Sequence, residues 1–434
     1  MSSAARRRVL VVVSSYRPAM LADMQRARML ARELPALGWD VEVLTPASGE
    51  VRSDAREPEP AAFFAGTEAI HEAGSLARPL FRALGSRSPA WRTWLPMAWQ
   101  GDRLLATGRF DLVYLSTTTF AFFGLGARWR RRFRVPYVLD FHDPWVRPDA
   151  GARGGLKARA AAGLARRMEA DAVPHASGIV AVAEPYLAML RERYGARAPA
   201  WMAPGRSAVI PFAALESDLA AVGAPRAAAP GGEIDVVYVG AGGTVMARAF
   251  ATLCRLVAQL RARRDPRVER LRIGLFGTQF PWRAGDRRAL EEIARAHGLG
   301  ARVAEHPERV SYRRSLELLA ASHGALVLGV EDAAYMPSKL FSYALSGKPL
   351  LAVLHESGAA YALLRDNPAL GHAVALQSGE DGSASEPALA ALAAFLGEAE
   401  SHRMFDRRAP LRPYLAPAMA RRHVELFEAC RERR

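Results

Sequence analysis

Within six residues, Asp140-Phe141-His142-Asp143-Pro144-Trp145, the chain places two carboxylates, an imidazole and an indole. Such groups are costly to bury without partners, so the cluster asks for a role. The plainer reading is that His142 and Asp143 only cap the segment that follows. A second cluster offers different chemistry. Gly240-Ala241-Gly242-Gly243-Thr244 follows an apolar run. Glycines let backbone N–H groups approach an anion, and the start of the next helix favours its charge. The nearby cation is Arg248. The third cluster is Pro337-Ser338-Lys339. The chain has only three lysines, Lys157, Lys339 and Lys348, among 59 basic residues, and two of them flank residues 337–346. A compact ammonium at a helix start suits a diphosphate by charge and by dipole.

The elements that must position these groups can be read from period and punctuation. Asp111–Leu115 is a short apolar run ending in Ser-Thr-Thr-Thr, a helix-cap signal. Phe120–Trp129 predicts an apolar helix ended by arginines. Val135–Leu139 predicts a second strand, entered through Pro136. Two strands joined by a helix make a parallel βαβ unit, and open parallel sheets bind ligands beyond the carboxyl ends of their strands. Arg8–Val13 predicts a first strand, Ser14–Ala22 a loop, residues 23–37 a helix closed by Gly38, and Trp39–Leu44 a second strand. No Gly-x-Gly-x-x-Gly follows the first strand, which argues against a dehydrogenase. Glu50–Gly108 reads poorly. Its Trp91, Trp94 and Trp99 suggest local packing of a helical insertion, or else an acceptor groove or membrane-facing surface.

Further on, helices are predicted over Leu156–Ala172 and Glu184–Tyr194, with a strand at Gly178–Val182 between them. The Ala/Pro/Gly stretch 222–232 reads as a linker. Ile234–Val239, Leu271–Phe276 and Ala325–Val330 predict strands, Ser311–Ala321 an amphipathic helix, and Pro337–Ser346 a short helix ended by Gly347. Residues 412–434 form a basic terminal helix.

A chain of 434 residues predicts two domains. Two cysteines, Cys254 and Cys430, offer neither a disulfide framework nor metal spacing, which fits a reducing, cytoplasmic setting. Arg6–Val13 mimics a signal peptide, but its apolar run is too short for a signal core. No stretch is long and apolar enough to span a bilayer. The formal charge is +15, unevenly spread: residues 1–212 hold 30 Lys+Arg against 19 Asp+Glu, and residues 213–434 hold 29 against 25. That asymmetry suggests an anionic partner, a membrane surface or a lipid-linked acceptor. The bland alternative is solvated arginine. No nucleic-acid recognition motif is present, so no nucleic-acid partner is expected.

Residues 110–146, with strand, Ser/Thr turn, helix, Val135-Pro136-Tyr137 strand and then His142-Asp143-Pro144-Trp145, resemble the N-terminal domain of the family 4 glycosyltransferases. Met24–Pro46 resembles the same family. So does Pro337-Ser338-Lys339-Leu340-Phe341 followed by Gly347-Lys348-Pro349. The resemblance implies the GT-B fold: α/β, two Rossmann-like domains with parallel sheets facing an interdomain cleft. It implies an acceptor-side domain over 1–212, a donor-side domain over 213–411, and a terminal helix, 412–434, returning to the first domain. It further implies a retaining, hexosyltransferase-type enzyme moving a sugar from a nucleotide-sugar to an acceptor hydroxyl on a glycan, lipid-linked or small molecule. His142 would hydrogen-bond the transferred sugar, and Asp143 would orient His142 or a sugar hydroxyl. Gly242, Gly243, Arg248, Glu331, Ser338, Lys339 and Ser342 would hold the donor. Arg17, Gln25 and Arg26 would face the acceptor side. No metal or other cofactor is expected. The chain departs from the family pattern at Ala241 (usually Arg), and at Ala334 and Ser342, where the family has its acidic pair. A nucleotide-sugar epimerase and a non-catalytic nucleotide-sugar binder remain as alternatives.

Overall fold

The computed structural model describes residues 6–17, 22–50, 66–77, 89–146, 155–222, 232–279, 288–377 and 385–431. The linker expected over 222–232 lies, apart from its ends, outside the described residues, as do 18–21 of the first loop and 51–65 and 78–88 of the poorly readable stretch. The chain divides into two compact units: residues 1–211 with 416–434, and residues 212–415.

The first unit is built on a seven-stranded parallel sheet in the order β3-β2-β1-β4-β5-β6-β7. Its strands are β1 (Arg7–Val12), β2 (Trp39–Pro46), β3 (Ala69–Ala73), β4 (Leu112–Ser116), β5 (Tyr137–Phe141), β6 (Gly178–Ala181) and β7 (Ser207–Val209). Every residue of β4 and β5 is buried, as expected where helices cover both faces of a parallel sheet. The helices are α1 (Ala22–Glu33), α2 (Pro89–Leu105), α3 (Phe123–Phe133), α4 (Leu156–Ala172) and α5 (Glu184–Tyr194), with a terminal helix at Ala416–Cys430. Strand-to-strand crossovers are right-handed, which lays α2, α3 and α4 side by side over one face. There α3 packs on both α2 and α4, while α1 packs on the terminal helix over the other face.

The helix expected over Phe120–Trp129 is a 3₁₀ turn at Phe120–Phe122 followed by Phe123–Phe133. Two other boundary shifts each have a local reason. The first helix stops at Glu33, and Leu34–Leu37 tightens into a 3₁₀ turn. Pro35 has no N–H to continue the ladder, and Gly38 closes the turn at φ +84°. The strand expected at Val135–Leu139 instead runs Tyr137–Phe141. Pro136 offers no ladder donor, while pairing of Ser116 with Asp140 and of Phe141 with Ala181 carries the strand two residues further. Asp140 thus belongs to the sheet and not to the loop.

The second unit has a six-stranded parallel sheet in the order β10-β9-β8-β11-β12-β13. These are β8 (Ile234–Val239), β9 (Leu271–Phe276), β10 (Val303–His306), β11 (Gly324–Leu328), β12 (Leu350–His355) and β13 (His372–Leu376). The main helices are α6 (Gly243–Ala262), α7 (Ala289–Ala296), α8 (Tyr312–Ala321), α9 (Leu340–Leu345), α10 (Ala359–Asp366) and α11 (Glu386–Glu400). Phe250, Leu253 and Val257 on α6 and Phe395 and Leu396 on α11 fill the core beside these strands. The helix expected over Pro337–Ser346 is only Leu340–Leu345, and Pro337 and Ser338 precede it. Gly347 ends it at φ +74°, where a Cβ would also meet the Phe405 carbonyl oxygen at 2.8 Å.

Candidate active site

In the first unit the side chains converge on one carboxylate, at the carboxyl end of β5. Asp140 is fully buried. Its Oδ2 accepts hydrogen bonds from Tyr114 OH, Ser116 Oγ and His142 Nε2, each at 2.7 Å. The Arg26 Nε lies 3.5 Å from the same oxygen, both side chains being out of solvent. Burial alone would raise the Asp140 carboxyl. The Arg26 guanidinium, and the His142 ring after it, outweigh burial and hold it below the usual carboxylate range. An ionised carboxylate only accepts, so the hydrogen-bond network assigns the proton to His142 Nε2. Nδ1 is the ring's other nitrogen and the acceptor of the tautomer protonated at Nε2.

Behind this pair stands a second histidine that the sequence did not flag. His423, on the terminal helix, is fully buried. Its Nδ1–H donates to the Met419 carbonyl at 2.8 Å, and its Nε2 lies 3.0 Å from Tyr114 OH. Burial, then the Arg26 charge, pulls it down to about 3, so the ring is neutral. Burial and the Asp140 charge push the Tyr114 phenol up, so it stays a donor. The Arg26 guanidinium and the Asp140 carboxylate form a buried ion pair of the kind that is costly to break.

The loop that carries His142 is pinned beyond it. Trp145 stacks on Phe120 at 5.8 Å and 14°, and meets Phe123 edge-on at 5.7 Å. Val146 donates its N–H to Glu169 Oε2 at 3.1 Å and accepts from Arg193 at 3.0 Å. His142 is thus held on a rigid strand end, 5 % exposed.

The expected roles shift accordingly. The carboxylate bonded to the His142 ring at Nε2 is Asp140. Asp143 stands in the loop after it, partly exposed. Arg26, expected on the acceptor side, has its side chain buried beside Asp140 and donates to the Ile210 carbonyl at 2.7 Å. Arg17 donates to Glu68 at 2.6 Å, an oxygen it shares with Tyr16 OH. Gln25 accepts from Arg28 at 2.7 Å.

In the second unit the structure joins two of the expected donor groups. Lys339 Nζ donates to the Val239 carbonyl at 2.7 Å, directly before the glycine turn, and Tyr343 OH donates to the same oxygen at 3.1 Å. Gly242 has no room for a Cβ, which would meet the Thr278 Cβ at 2.5 Å, and Gly243 opens α6 at φ +60°. The glycines are therefore required by close approach and by backbone conformation. Burial of the Lys339 ammonium, with the Arg309 charge nearby, pulls it down to about 8. Arg309 is thus a second cation at this end of the sheet, missed because it lies far from the glycine turn in sequence.

The other expected donor residues are placed as follows. Arg248 forms an ion pair with Glu331 and donates to the Gln377 carbonyl at 2.7 Å. In this structure the Arg248 and Glu331 side chains pair with each other. With α9 starting at Leu340, Pro337 and Ser338 are not in a helix, and a six-residue helix offers little dipole. Lys339 thus carries its own charge with little helix dipole behind it. Ser338 is exposed and Ser342 partly buried on α9. Among the described residues no group of three or more His, Cys, Asp or Glu is placed to hold a metal ion.

The model of the family described as "glycosyl transferase 4-like domain" matches residues 24–205, which include Arg26, Tyr114, Asp140 and His142. No curated protein matches the chain in sequence. Solved structures match its fold over nearly its full length. A structure of Anabaena Alr3699/HepE in complex with UDP-glucose is 14 % identical, with a TM-score of 0.60, covering 97 % of this chain and 99 % of that one. A UDP-forming α,α-trehalose-phosphate synthase from Burkholderia xenovorans is 12 % identical, with a TM-score of 0.58, covering 97 % and 99 %. A putative UDP-N-acetylglucosamine 2-epimerase from Listeria monocytogenes is 13 % identical, with a TM-score of 0.53, covering 97 % and 95 %. Two parallel-sheet α/β units with this likeness make the fold GT-B.

Proposed function

We propose that the protein is a retaining glycosyltransferase of hexosyltransferase type, moving a sugar from a nucleotide-sugar to an acceptor hydroxyl on a glycan or lipid-linked molecule. The observation that carries this reading is His142. It is fixed by Asp140 at a strand's carboxyl end, inside the segment that matches a glycosyl transferase 4-like domain. Each unit contributes its own chemistry. In the first, Asp140 holds the His142 proton on Nε2, so Nδ1 accepts a hydrogen bond from a hydroxyl of the transferred sugar. Rigid support for that ring keeps the interaction aligned as the reaction proceeds.

In the second, the chemistry is charge stabilisation. When the bond between the sugar C1 and the diphosphate breaks, negative charge grows on the leaving phosphate. The Lys339 ammonium has three N–H donors and gives one to Val239. The others, with Arg309 and the Gly242 and Gly243 amides, stabilise that charge as preorganised donors. Ser342 would offer the ribose a neutral hydroxyl where the family pattern has a carboxylate.

Alr3699/HepE was crystallised with UDP-glucose and with UDP, so uridine nucleotides are the first donors to test. The experiment is product analysis by mass spectrometry and NMR after incubation with UDP-sugars and acceptor panels. Sugar on the acceptor, with the donor's anomeric configuration, is the expected result. Likeness to the Listeria epimerase supports a second reading, and epimerised nucleotide-sugar formed without acceptor would establish that one instead. Tight nucleotide binding without either product would mean a binder and refute both.

A further inference from the structure

The terminal helix brings a histidine to the site that the proposed chemistry leaves unused. His423 is fully buried, as are Tyr114 and Asp140, so bulk water competes for none of their polar atoms. Phe427 packs on both rings, 5.3 Å from Tyr114 and 5.9 Å from His423, and those two rings meet edge-on at 87°. Across this contact one proton faces two acceptors. Tyr114 OH carries a single proton. It lies 2.7 Å from Asp140 Oδ2 and 3.0 Å from His423 Nε2. His423 keeps its own proton on Nδ1, toward the Met419 carbonyl at 2.8 Å, so its Nε2 can only accept. The Asp140 carboxylate makes this competition matter. Its Oδ1 has no hydrogen-bond partner. Tyr114, Ser116 and His142 all bond Oδ2, with Arg26 Nε 3.5 Å away. A carboxylate oxygen offers about two lone-pair sites, and here three hydrogen bonds seek them. Whatever hold His423 takes on the Tyr114 proton therefore leaves Oδ2 freer for His142.

We propose that His423 is a positioning residue: by drawing on the Tyr114 proton it frees Asp140 Oδ2 to hold His142 Nε2–H, and so keeps His142 Nδ1 aimed at the sugar hydroxyl. This rests on the reading of His142 as the group that meets the transferred sugar. His423 touches neither donor nor acceptor in this role and acts only through Tyr114 and Asp140. The contact also gives the terminal helix a part in the site. That helix belongs to the first unit, yet in sequence it follows the whole of the second, residues 212–415. The hydrogen-bonded chain behind His142 is therefore complete only when the last helix has packed against the sheet.

The test joins NMR of the full chain, with histidine labelled by nitrogen-15, to turnover on the donor and acceptor found by product analysis. The His142 Nε2–H proton resonance, identified by its loss in His142→Ala, reports how strongly Asp140 holds it. His423→Phe removes the competing acceptor, so the resonance should move upfield. Turnover should fall about fivefold, the worth of one neutral hydrogen bond, with the donor KM unchanged. His423→Gln keeps an acceptor within reach of Tyr114 and should restore both. Tyr114→Phe removes the contested proton, so the resonance should move downfield, and in that background His423→Phe should change neither readout. A resonance unmoved by His423→Phe would overturn the proposal. So would a loss of turnover that persists in the Tyr114→Phe background, since a packing role acts without the phenol proton. If circular dichroism shows that His423→Phe does not fold, Tyr114→Phe decides, because its resonance must still move downfield. Unchanged turnover in His142→Ala would instead refute the reading of His142, whatever the NMR shifts show.

Discussion

Binding of a nucleoside diphosphate to the second unit should take up a proton, and its affinity should fall as the pH climbs through 8. The cause is Lys339. Its ammonium donates to Val239 beside the glycine turn, and burial, with Arg309 nearby, pulls it from the ordinary lysine value to about 8. A diphosphate at that nitrogen favours the charged form, so ligand and proton bind together. If only charged Lys339 holds the ligand, apparent affinity scales with the charged fraction, about nine-tenths at pH 7 and about one-tenth at pH 9. The expected loss is therefore roughly tenfold across that span. The ligand confounds this little, since the last phosphate ionisation has a pKa of about 6 and is nearly complete by pH 7. Calorimetric titration with UDP at pH 8, in two buffers of different ionisation enthalpy, should report uptake of about half a proton. Lys339→Ala should bind roughly tenfold or more weakly at pH 7, because a hydrogen bond to a charged group is worth about 1.5–3 kcal/mol. Its affinity should then be flat from pH 7 to 9. Wild-type affinity that is already flat over this range, or Lys339→Ala binding like wild type, would show that this ammonium does not hold the diphosphate.

Four further outcomes are expected. His142→Ala should lower turnover roughly tenfold or more, as loss of an aligned hydrogen bond requires, with circular dichroism unchanged; near-normal turnover would remove the assignment. Asp140→Asn should destabilise the first unit by about 3–5 kcal/mol, because Arg26 is left buried without its counter-charge. Adding Arg26→Met should restore part of that stability in urea unfolding but none of the turnover. His423 is neutral in the fold, at about 3, against 6.5 ordinarily. The unfolded chain therefore binds the extra proton, and stability should fall by about 1.4 kcal/mol per pH unit as the pH drops from 6.5 toward 3. His423→Gln should flatten that slope in acid titrations. Ser342→Ala should weaken nucleotide binding by no more than about 1.5 kcal/mol, the worth of a neutral hydrogen bond, and Ser342→Glu should leave it unchanged or tighter by calorimetry.

Much of the architecture can be read along the chain because it is set by near neighbours. Apolar runs bounded by Gly, Pro and Ser/Thr locate β8 and β9 to the residue, since burial on both sheet faces demands unbroken apolar sequence. Helices α4 and α5 also match to the residue. His142 stands out because a polar cluster at a strand end is costly without partners. What its partners are could not be read locally. Asp143 is the adjacent carboxylate in sequence, yet register puts Asp140 inside β5, facing Ser116 across the ladder. Tyr114 comes from the neighbouring strand, Arg26 from α1 and His423 from the terminal helix, nearly three hundred residues after His142. Only packing of both sheet faces brings those groups within hydrogen-bond distance. The second unit shows the converse. Arg248 suited a diphosphate by its charge, and Glu331 stood beside the place of the family's acidic pair, but folding placed them against each other, and Lys339 and Arg309 at the carboxyl end of the sheet. Residue type along a chain states which charges exist. Whether a charge meets a ligand or another side chain is decided by which opposite group the fold brings closest, because the attraction between charges weakens with separation and with solvent between them.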